Sequence, residues 1–365
     1  MAKAMNAGGA AARAIRGAYG RVYEGVNYRL RTFAGGRWAS HVRPTSAALL
    51  LTERCNARCL HCDIWRNRGQ EDSPTIGEWK RLLSDLRAWL GPVPVTMTGG
   101  EALLRLYTVE LIEHGVSTGL LIEVLTHGYW KDQSRVEAMA CAGPWRVTVS
   151  LDGLGETHSK IRGRVGFFET TETTLCTLQR VRVQKGLGFT IRLKTVLMDH
   201  NLDDVCRLAE YAQRGGMEIM YQPIEQNYNT TEDPTWFERS ANWPRDVDKA
   251  VGAVQRLIEL KRAGLPIVNS EPQLEVMARY FRDPAPLRVA VQAHAAHEPE
   301  LLCTALGMLQ VQSNGDVTTC PSQTAVGNIK NAPIREIWKG RPRWWETGCC
   351  LERRLAANPR GCDGT

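Results

Sequence analysis

Three cysteines stand close together at Cys55, Cys59 and Cys62, a C-x3-C-x2-C spacing on one polar stretch. Three thiols this near cannot all pair as disulfides, yet one loop bearing them can wrap one metal centre. Structural zinc usually takes four ligands, often as two C-x2-C knuckles. No fourth ligand lies nearby here, so a zinc loop would have to borrow a distant one. Cubane iron–sulfur clusters are normally held by four thiolates, and a cluster held by three keeps one iron free for a substrate or cofactor. The triplet therefore points to an open iron–sulfur site, with the zinc loop as the plainer alternative.

The elements that must position this loop can be read around it. An apolar run at 47–51 reads as a buried strand that ends at the loop. The spacing then predicts helices over 75–90, 107–118, 133–142, 168–185 and 202–215. Strands are expected over 93–98, 120–125, 146–151, 189–197 and 218–223. Six apolar strands joined by helical crossovers imply a parallel sheet curved toward a barrel. The expected fold class is α/β, a partial (β/α)6 TIM-like barrel with a small C-terminal hairpin/helix extension. In such folds the chemistry sits at the C-terminal ends of the strands. Gly99-Gly100-Glu101, Thr126-His127-Gly128 and Asp152-Gly153 all fall at those ends. Further on, helices are expected over 247–263 and 273–281, and Asn314-Gly315 marks a hairpin turn between 306–312 and 317–319. Four regions follow: a basic helical segment (1–45), the barrel (46–225), a helical linker region (226–300) and a cysteine-bearing extension (301–365).

Composition narrows the class. The chain has 365 residues, 43% hydrophobic and 23% charged, which is ordinary for a globular protein. It shows no apolar run long enough to span a bilayer and no apolar signal core. Eleven cysteines without an export signal argue for a reducing, cytoplasmic setting and for metal work rather than a disulfide scaffold. A net charge of +7 is mild for this length, and no nucleic-acid partner is expected. Residues 1–45 nevertheless hold eight Lys/Arg against Glu24, with Ile15, Tyr19, Val22, Tyr23, Val26 and Leu30 at helical spacing. That segment reads as a basic amphipathic helix packed on the main domain. Docking of an anionic partner, or peripheral contact with an anionic membrane, is the other use of such a helix. Cys141, Cys176 and Cys206 sit in helical stretches without partner spacing and read as buried free thiols.

Taken together, the strand-end signatures resemble the radical S-adenosylmethionine (radical SAM) family. Thr98-Gly99-Gly100-Glu101 is similar to that family's GGE motif, and Val149-Ser150-Leu151-Asp152-Gly153 to its SxDG motif. The resemblance implies that Gly99, Gly100 and Glu101 meet the amino group of the cofactor's methionine. Ser150 and Asp152 would lie near its ribose and carboxylate, and Arg162 would pair the carboxylate. His61, before the third cysteine, would stack on the adenine, and Trp65 would cover the cluster. Thr126-His127-Gly128 stands where the family often has Thr-Asn-Gly. Lys194, Thr195 and Gln222 are further pocket residues.

A second cysteine set lies near the C-terminus: Cys303, Cys320, Cys349, Cys350 and Cys362. The run from Cys303 through Gly315 to Cys320 resembles the opening of the SPASM/twitch extension. The count suits one auxiliary [4Fe–4S] cluster on Cys303, Cys320, Cys362 and one of Cys349/Cys350, with a structural zinc as the alternative. The resemblance implies reductive cleavage of S-adenosylmethionine to a 5′-deoxyadenosyl radical. That radical would take a hydrogen atom from a small-molecule natural product or peptide, for a net oxidation or cross-link. A flavodoxin, ferredoxin or reductase would supply electrons. No separate peptide-recognition region is legible, which favours a small or short substrate. The competing class is a non-catalytic zinc or iron–sulfur binding module whose basic arm docks nucleic acid or membrane.

Overall fold

The computed structural model describes residues 41–67, 72–227, 230, 233, 235–284, 308–319 and 324–341, together with Val22 and Val26. Its centre is a nine-stranded sheet in the order β6-β5-β4-β3-β2-β1-β7-β8-β9. In chain order the first strands are β1 (Ser46–Leu50), β2 (Pro94–Thr98), β3 (Leu121–Thr126), β4 (Arg146–Ser150), β5 (Thr190–Leu197) and β6 (Glu218–Pro223). The hairpin strands β7 (Met308–Val311), β8 (Asp316–Thr318) and β9 (Gly327–Asn328) complete the sheet. Strands β1 to β6 run parallel, each beside the next, so the barrel is unclosed.

The crossovers are helical. They are α1 (Ile76–Leu90), α2 (Thr108–Ser117), α3 (Gln133–Cys141), α4 (Glu156–Arg162), α5 (Phe167–Gln184) and α6 (Val205–Arg214). After β6 come α7 (Trp236–Arg239), α8 (Val247–Arg262) and α9 (Glu271–Arg282), and after β9 comes α10 (Ile334–Gly340). Helix α1 starts where its sequence dictates. The Thr75 hydroxyl accepts the Glu78 N–H at 3.3 Å, and the Glu78 carboxylate accepts the Thr75 N–H at 2.7 Å, a reciprocal capping box. Helix α4 is a short element that the helical periodicity did not reveal.

Strand alternation divides the sheet into two faces. Leu49, Met97, Ile122, Val149, Leu193 and Ile219 are wholly buried on the face that the crossover helices cover. The opposite, concave face is polar. Glu123 there takes both Arg146 guanidinium nitrogens at 2.9 and 2.7 Å and the Thr148 hydroxyl at 2.5 Å. Arg192 grips Glu218 in the same manner. A closed barrel fills its interior with apolar layers. Here paired charges line the floor of an open groove.

The hairpin joins the barrel directly. Strand β7 lies parallel to β1, with Ala47 opposite Leu309 and Leu49 opposite Val311. The turn between β7 and β8 uses Gly315 at φ 91°, as the Asn-Gly signal implies. Helix α10 closes over α1. The Trp338 indole N–H donates to the Val42 carbonyl at 2.8 Å, and its ring lies 6.2 Å from that of Trp89.

Two expectations are corrected. Cys141 and Cys176 are exposed, because each lies off the inward stripe of its helix, while Cys206 is half-buried against the core, and all three are free thiols. Val22 and Val26 are helical, as the spacing implied, but they are 68% and 51% exposed rather than packed on the barrel. No helix among the described residues is long and apolar enough to cross a membrane.

Candidate active site

The cysteine loop is held by backbone on two sides. On the β2 side, the Leu51 N–H donates to Thr98 O at 2.9 Å, Gly100 N–H to Thr52 O at 2.7 Å, and Glu101 N–H to Arg54 O at 2.9 Å. This seam explains the two glycines. A Cβ on Gly99, whose φ is +139°, would sit 2.3 Å from Thr52 O, and one on Gly100 would sit 2.4 Å from Arg54 O. The close approach that they permit is to the loop itself. On the other side, the C-terminus of α4 pairs with the loop as a strand would. Arg58 N–H donates to Arg162 O at 3.0 Å and Leu60 N–H to Ile161 O at 2.9 Å. Gly163 (φ +72°) has room for no side chain, since its Cβ would meet Arg58 O at 2.3 Å.

Side chains from further loops complete the frame. Asn227 and Asn242, in the segment after β6, donate to Leu60 O at 3.3 and 3.1 Å, and Asn227 also reaches the Asp63 carboxylate at 2.9 Å. The Arg164 guanidinium donates to Asn56 O at 2.5 Å. Trp65 lies beneath two guanidinium groups, Arg58 at 4.8 Å and Arg66 at 4.7 Å from its ring centre.

Glu101 and His127 tie the ends of β2 and β3 to this loop. The Glu101 carboxylate is 1% exposed and accepts the Leu103 N–H, the Thr126 hydroxyl and the His127 N–H at 3.2, 3.0 and 2.9 Å. Burial pushes its pKa up to about 7 against these three donors. His127 Nδ1 accepts the Tyr129 N–H, which leaves the proton on Nε2 to donate to Asn56 Oδ1 at 2.6 Å. Burial, and then Arg162, push His127 down to about 3. The ring is therefore a neutral bridge from β3 to the residue after Cys55. His127 supplies this hydrogen bond where the Thr-Asn-Gly pattern has Asn.

At the end of β4, Asp152 is fully buried. One carboxylate oxygen accepts the Val196 N–H at 2.9 Å and the other lies 2.6 Å from the Arg162 guanidinium. Burial pushes this carboxyl up, but Arg162 and the neighbouring histidines more than offset it and hold it below the usual range. Arg162 reaches on to Cys59 Sγ at 3.5 Å. A continuous chain thus runs from β5 through Asp152 and Arg162 to the second cysteine. His61 faces the same charges. Burial pushes it down to about 4, and its Nδ1 is buried without a partner. Ser150 and Lys194 are register partners on the concave face, one step above the Arg192–Glu218 floor.

The thiols suit a cluster. Burial pushes Cys55 up to about 12 and Cys62 up to about 11, and raises Cys59 against the pull of Arg162. Desolvated thiols ionise readily only when a cation takes up the charge. Among the described residues no three His, Cys, Asp or Glu side chains converge tightly enough for a single metal ion. Three thiols from one loop, without a fourth donor, are the donor set that a cubane with an open corner takes. Cys303, Cys320, Cys349, Cys350 and Cys362 lie outside the described residues.

Several residues of the frame carry no sequence signal. Asn56, Asn227 and Asn242 are single amides in loops. Asn201, 1% exposed, donates to Asp152 O and Val196 O at 2.6 and 2.7 Å and so locks the ends of β4 and β5. His158 Nδ1 accepts the Asp152 N–H at 3.0 Å. Only their position in the fold reveals them.

Fold and site together define an iron–sulfur enzyme built on an open parallel barrel. The family model of the radical SAM superfamily matches residues 49–212, and that of the SPASM iron–sulfur cluster-binding domain matches residues 303–362. The AdoMet-dependent heme synthase of Methanosarcina barkeri is 27% identical over 309 residues, 81% of this chain and 82% of that protein. The pre-heme d1 synthase of Dinoroseobacter shibae is 26% identical over 302 residues, 80% of this chain and 72% of that protein. The structure of Streptococcus suis SuiB bound to its precursor peptide SuiA shares the fold. Its TM-score is 0.60 at 16% identity, over 81% of this chain and 64% of SuiB. The chain belongs to the radical SAM superfamily and carries a SPASM extension. It is an enzyme whose cofactors are a [4Fe–4S] cluster, S-adenosylmethionine and auxiliary iron–sulfur in the extension.

Proposed function

We propose that Cys55, Cys59 and Cys62 hold the cluster that binds S-adenosylmethionine, and that the strand ends around them hold the rest of the cofactor. When bound, these groups supply one electron to the sulfonium and a 5′-deoxyadenosyl radical that removes a hydrogen atom from the substrate. The protein's own task is to fix the loop, orient the cofactor and exclude water. Gly99, Gly100 and Glu101 present backbone and a braced carboxylate to the cofactor's amino end. Ser150, Asp152 and Arg162 frame its ribose and carboxylate, and His61 stacks on its base. The observation that carries this reading is the double backbone seam that clamps the cysteine loop between Gly99-Gly100 and Ile161–Gly163. A mere zinc staple needs no such seat beside a polar groove.

The substrate read here is a small tetrapyrrole, and the net reaction an oxidation. Two of the three relatives aligned over about four-fifths of the chain are named as synthases of a heme and of a pre-heme, and the third as a GTP 3',8-cyclase. A peptide is the second reading, favoured by the structural likeness to SuiB in complex with SuiA. Residues 46–225 form the catalytic unit in this account, and 301–365 hold the auxiliary cluster on Cys303, Cys320, Cys362 and Cys349 or Cys350. A flavodoxin or ferredoxin supplies electrons, the setting is cytoplasmic, and the basic N-terminal segment makes peripheral contact with an anionic membrane. The test is anaerobic. Reconstituted protein with dithionite and S-adenosylmethionine should release 5′-deoxyadenosine, and an iron porphyrin bearing carboxylate side chains should raise the yield. A rise with precursor-type peptides and none with porphyrins would replace the tetrapyrrole reading with the peptide one.

A further inference from the structure

Among the described residues, Arg146, Arg192 and Lys194 lie on the concave face and Arg162 reaches the site from α4, and the fold pairs the three arginines. Arg146 is held by Glu123, Arg192 by Glu218 and Arg162 by Asp152. On β5, between Arg192 and Val196, the Lys194 backbone carbonyl accepts the Leu151 N–H at 2.9 Å, but its ammonium makes neither a hydrogen bond nor an ion pair with any described residue. Its register partners are Ser150 on one side and Met220 on the other, so it stands at the level where the cofactor residues begin. Gln222, one step higher on β6, is the next polar group above it.

We propose that Lys194 seats an anionic group of the substrate, a carboxylate or a phosphate, beneath the cofactor. Lys194 is half-buried, and an ammonium partly withdrawn from water gains from a counter-charge that meets it. Arg146 and Arg192, the other described cations on this floor, have one from the fold, so the partner left for Lys194 is a ligand's. Burial lowers the pKa of this amine, with Glu225 and Glu123 offsetting only part of the effect from beyond ion-pair distance. A neutral or cationic substrate would supply no such counter-charge. The inference rests on the groove being the substrate chamber proposed above, and it narrows the substrate to an acid.

Cyanate labelling of the full-length reconstituted protein tests this, with S-adenosylmethionine saturating so that the cofactor's own carboxylate is already placed. Lys194 should be carbamylated, as read by peptide mass spectrometry. Citrate as the carboxylate probe, or inorganic pyrophosphate as the phosphate probe, should slow that reaction at least about fivefold by occupancy, and glycerol should not. The stronger of the two names the group. A Lys194 that does not react, or that neither anion protects, overturns the proposal. Lys194→Met, checked for an unchanged melting temperature, should bind S-adenosylmethionine within about threefold of the parent. A loss of tenfold or more would assign the anion to the cofactor and also overturn it. None of these readouts needs turnover, so failure of the tetrapyrrole reading shows separately, as porphyrins that leave 5′-deoxyadenosine yield unchanged.

Discussion

Gly163 shows how a single residue enforces the site. Its positive φ and the 2.3 Å approach to Arg58 O both forbid a side chain. Gly166 has nearly the same φ, +73°, with nothing within 4 Å of its Cβ position. Gly166→Ala should cost only the strain of a left-handed alanine, about 1 kcal/mol. Gly163→Ala should cost that plus the displacement of the cysteine loop, about 2–4 kcal/mol in chemical denaturation. It should also lower iron uptake on reconstitution, whereas Gly166→Ala should not. Equal losses would remove the seam from the account. Arg162 offers the complementary case. Arg162→Met leaves Asp152 buried without its partner, a change worth roughly 3–5 kcal/mol. The double variant with Asp152→Asn should recover much of that loss, and purely additive losses would show that the two residues do not act as a pair.

Among the elements, the strand ends gather buried histidines that must stay neutral. His127 and His158 are each pushed down to about 3, chiefly by burial and then by Arg162. A depressed histidine contributes stability that is fully present above the unfolded value near 6.5. It is lost as pH falls from there toward 3, at about 1.4 kcal/mol per pH unit for each ring. Glu101, raised to about 7, works in the opposite sense and regains one such slope between about 7 and 4.5. The apoprotein should therefore lose stability between pH 6.5 and 4.5, and His158→Gln should flatten that fall by about 1.4 kcal/mol per unit. Melting curves across this range read the effect, and a parallel shift without flattening would contradict it.

The same elements show what sequence can and cannot carry. Strands β2 to β6 were legible because apolar runs between capped helices leave few alternatives. The spacing of Cys55, Cys59 and Cys62 announced itself as metal chemistry. Helix α4 was not legible, because seven residues carry too little periodicity. Nor was the role of Gly99 and Gly100, whose close neighbour is the loop's own backbone. That contact pairs residues 52–54 with 99–101, and no local pattern encodes it.

At the scale of the molecule, the extension and the barrel share one sheet. The hairpin was visible in Asn314-Gly315, but its docking as β7 on β1 was not, since register across more than 250 residues leaves no local trace. Helix α10 fastens that edge through Trp338, which is 2% exposed and bonded to Val42 O. Trp338→Ala should destabilise by about 3–5 kcal/mol from the lost packing. It should also loosen β7 in hydrogen exchange before β4 or β5, and uniform loosening of the whole sheet would speak against a separate hinge at this edge. Sheet continuity sets the β7–β9 hairpin on the flank of β1, so the hairpin and the strand that leads into the cysteine loop share one scaffold.

A reagent cluster on the cysteine loop, as proposed, differs from a structural ion in iron content and in reactivity. Anaerobic reconstitution with iron and sulfide counts, followed by dithionite and S-adenosylmethionine, tests it most directly. On the order of eight irons per chain are expected, with about four lost in Cys59→Ala and about four in Cys320→Ala. The parent should form 5′-deoxyadenosine and Cys59→Ala should form none. Bound zinc without cleavage in the parent, or full cleavage in Cys59→Ala, would rule out a reagent cluster on this loop.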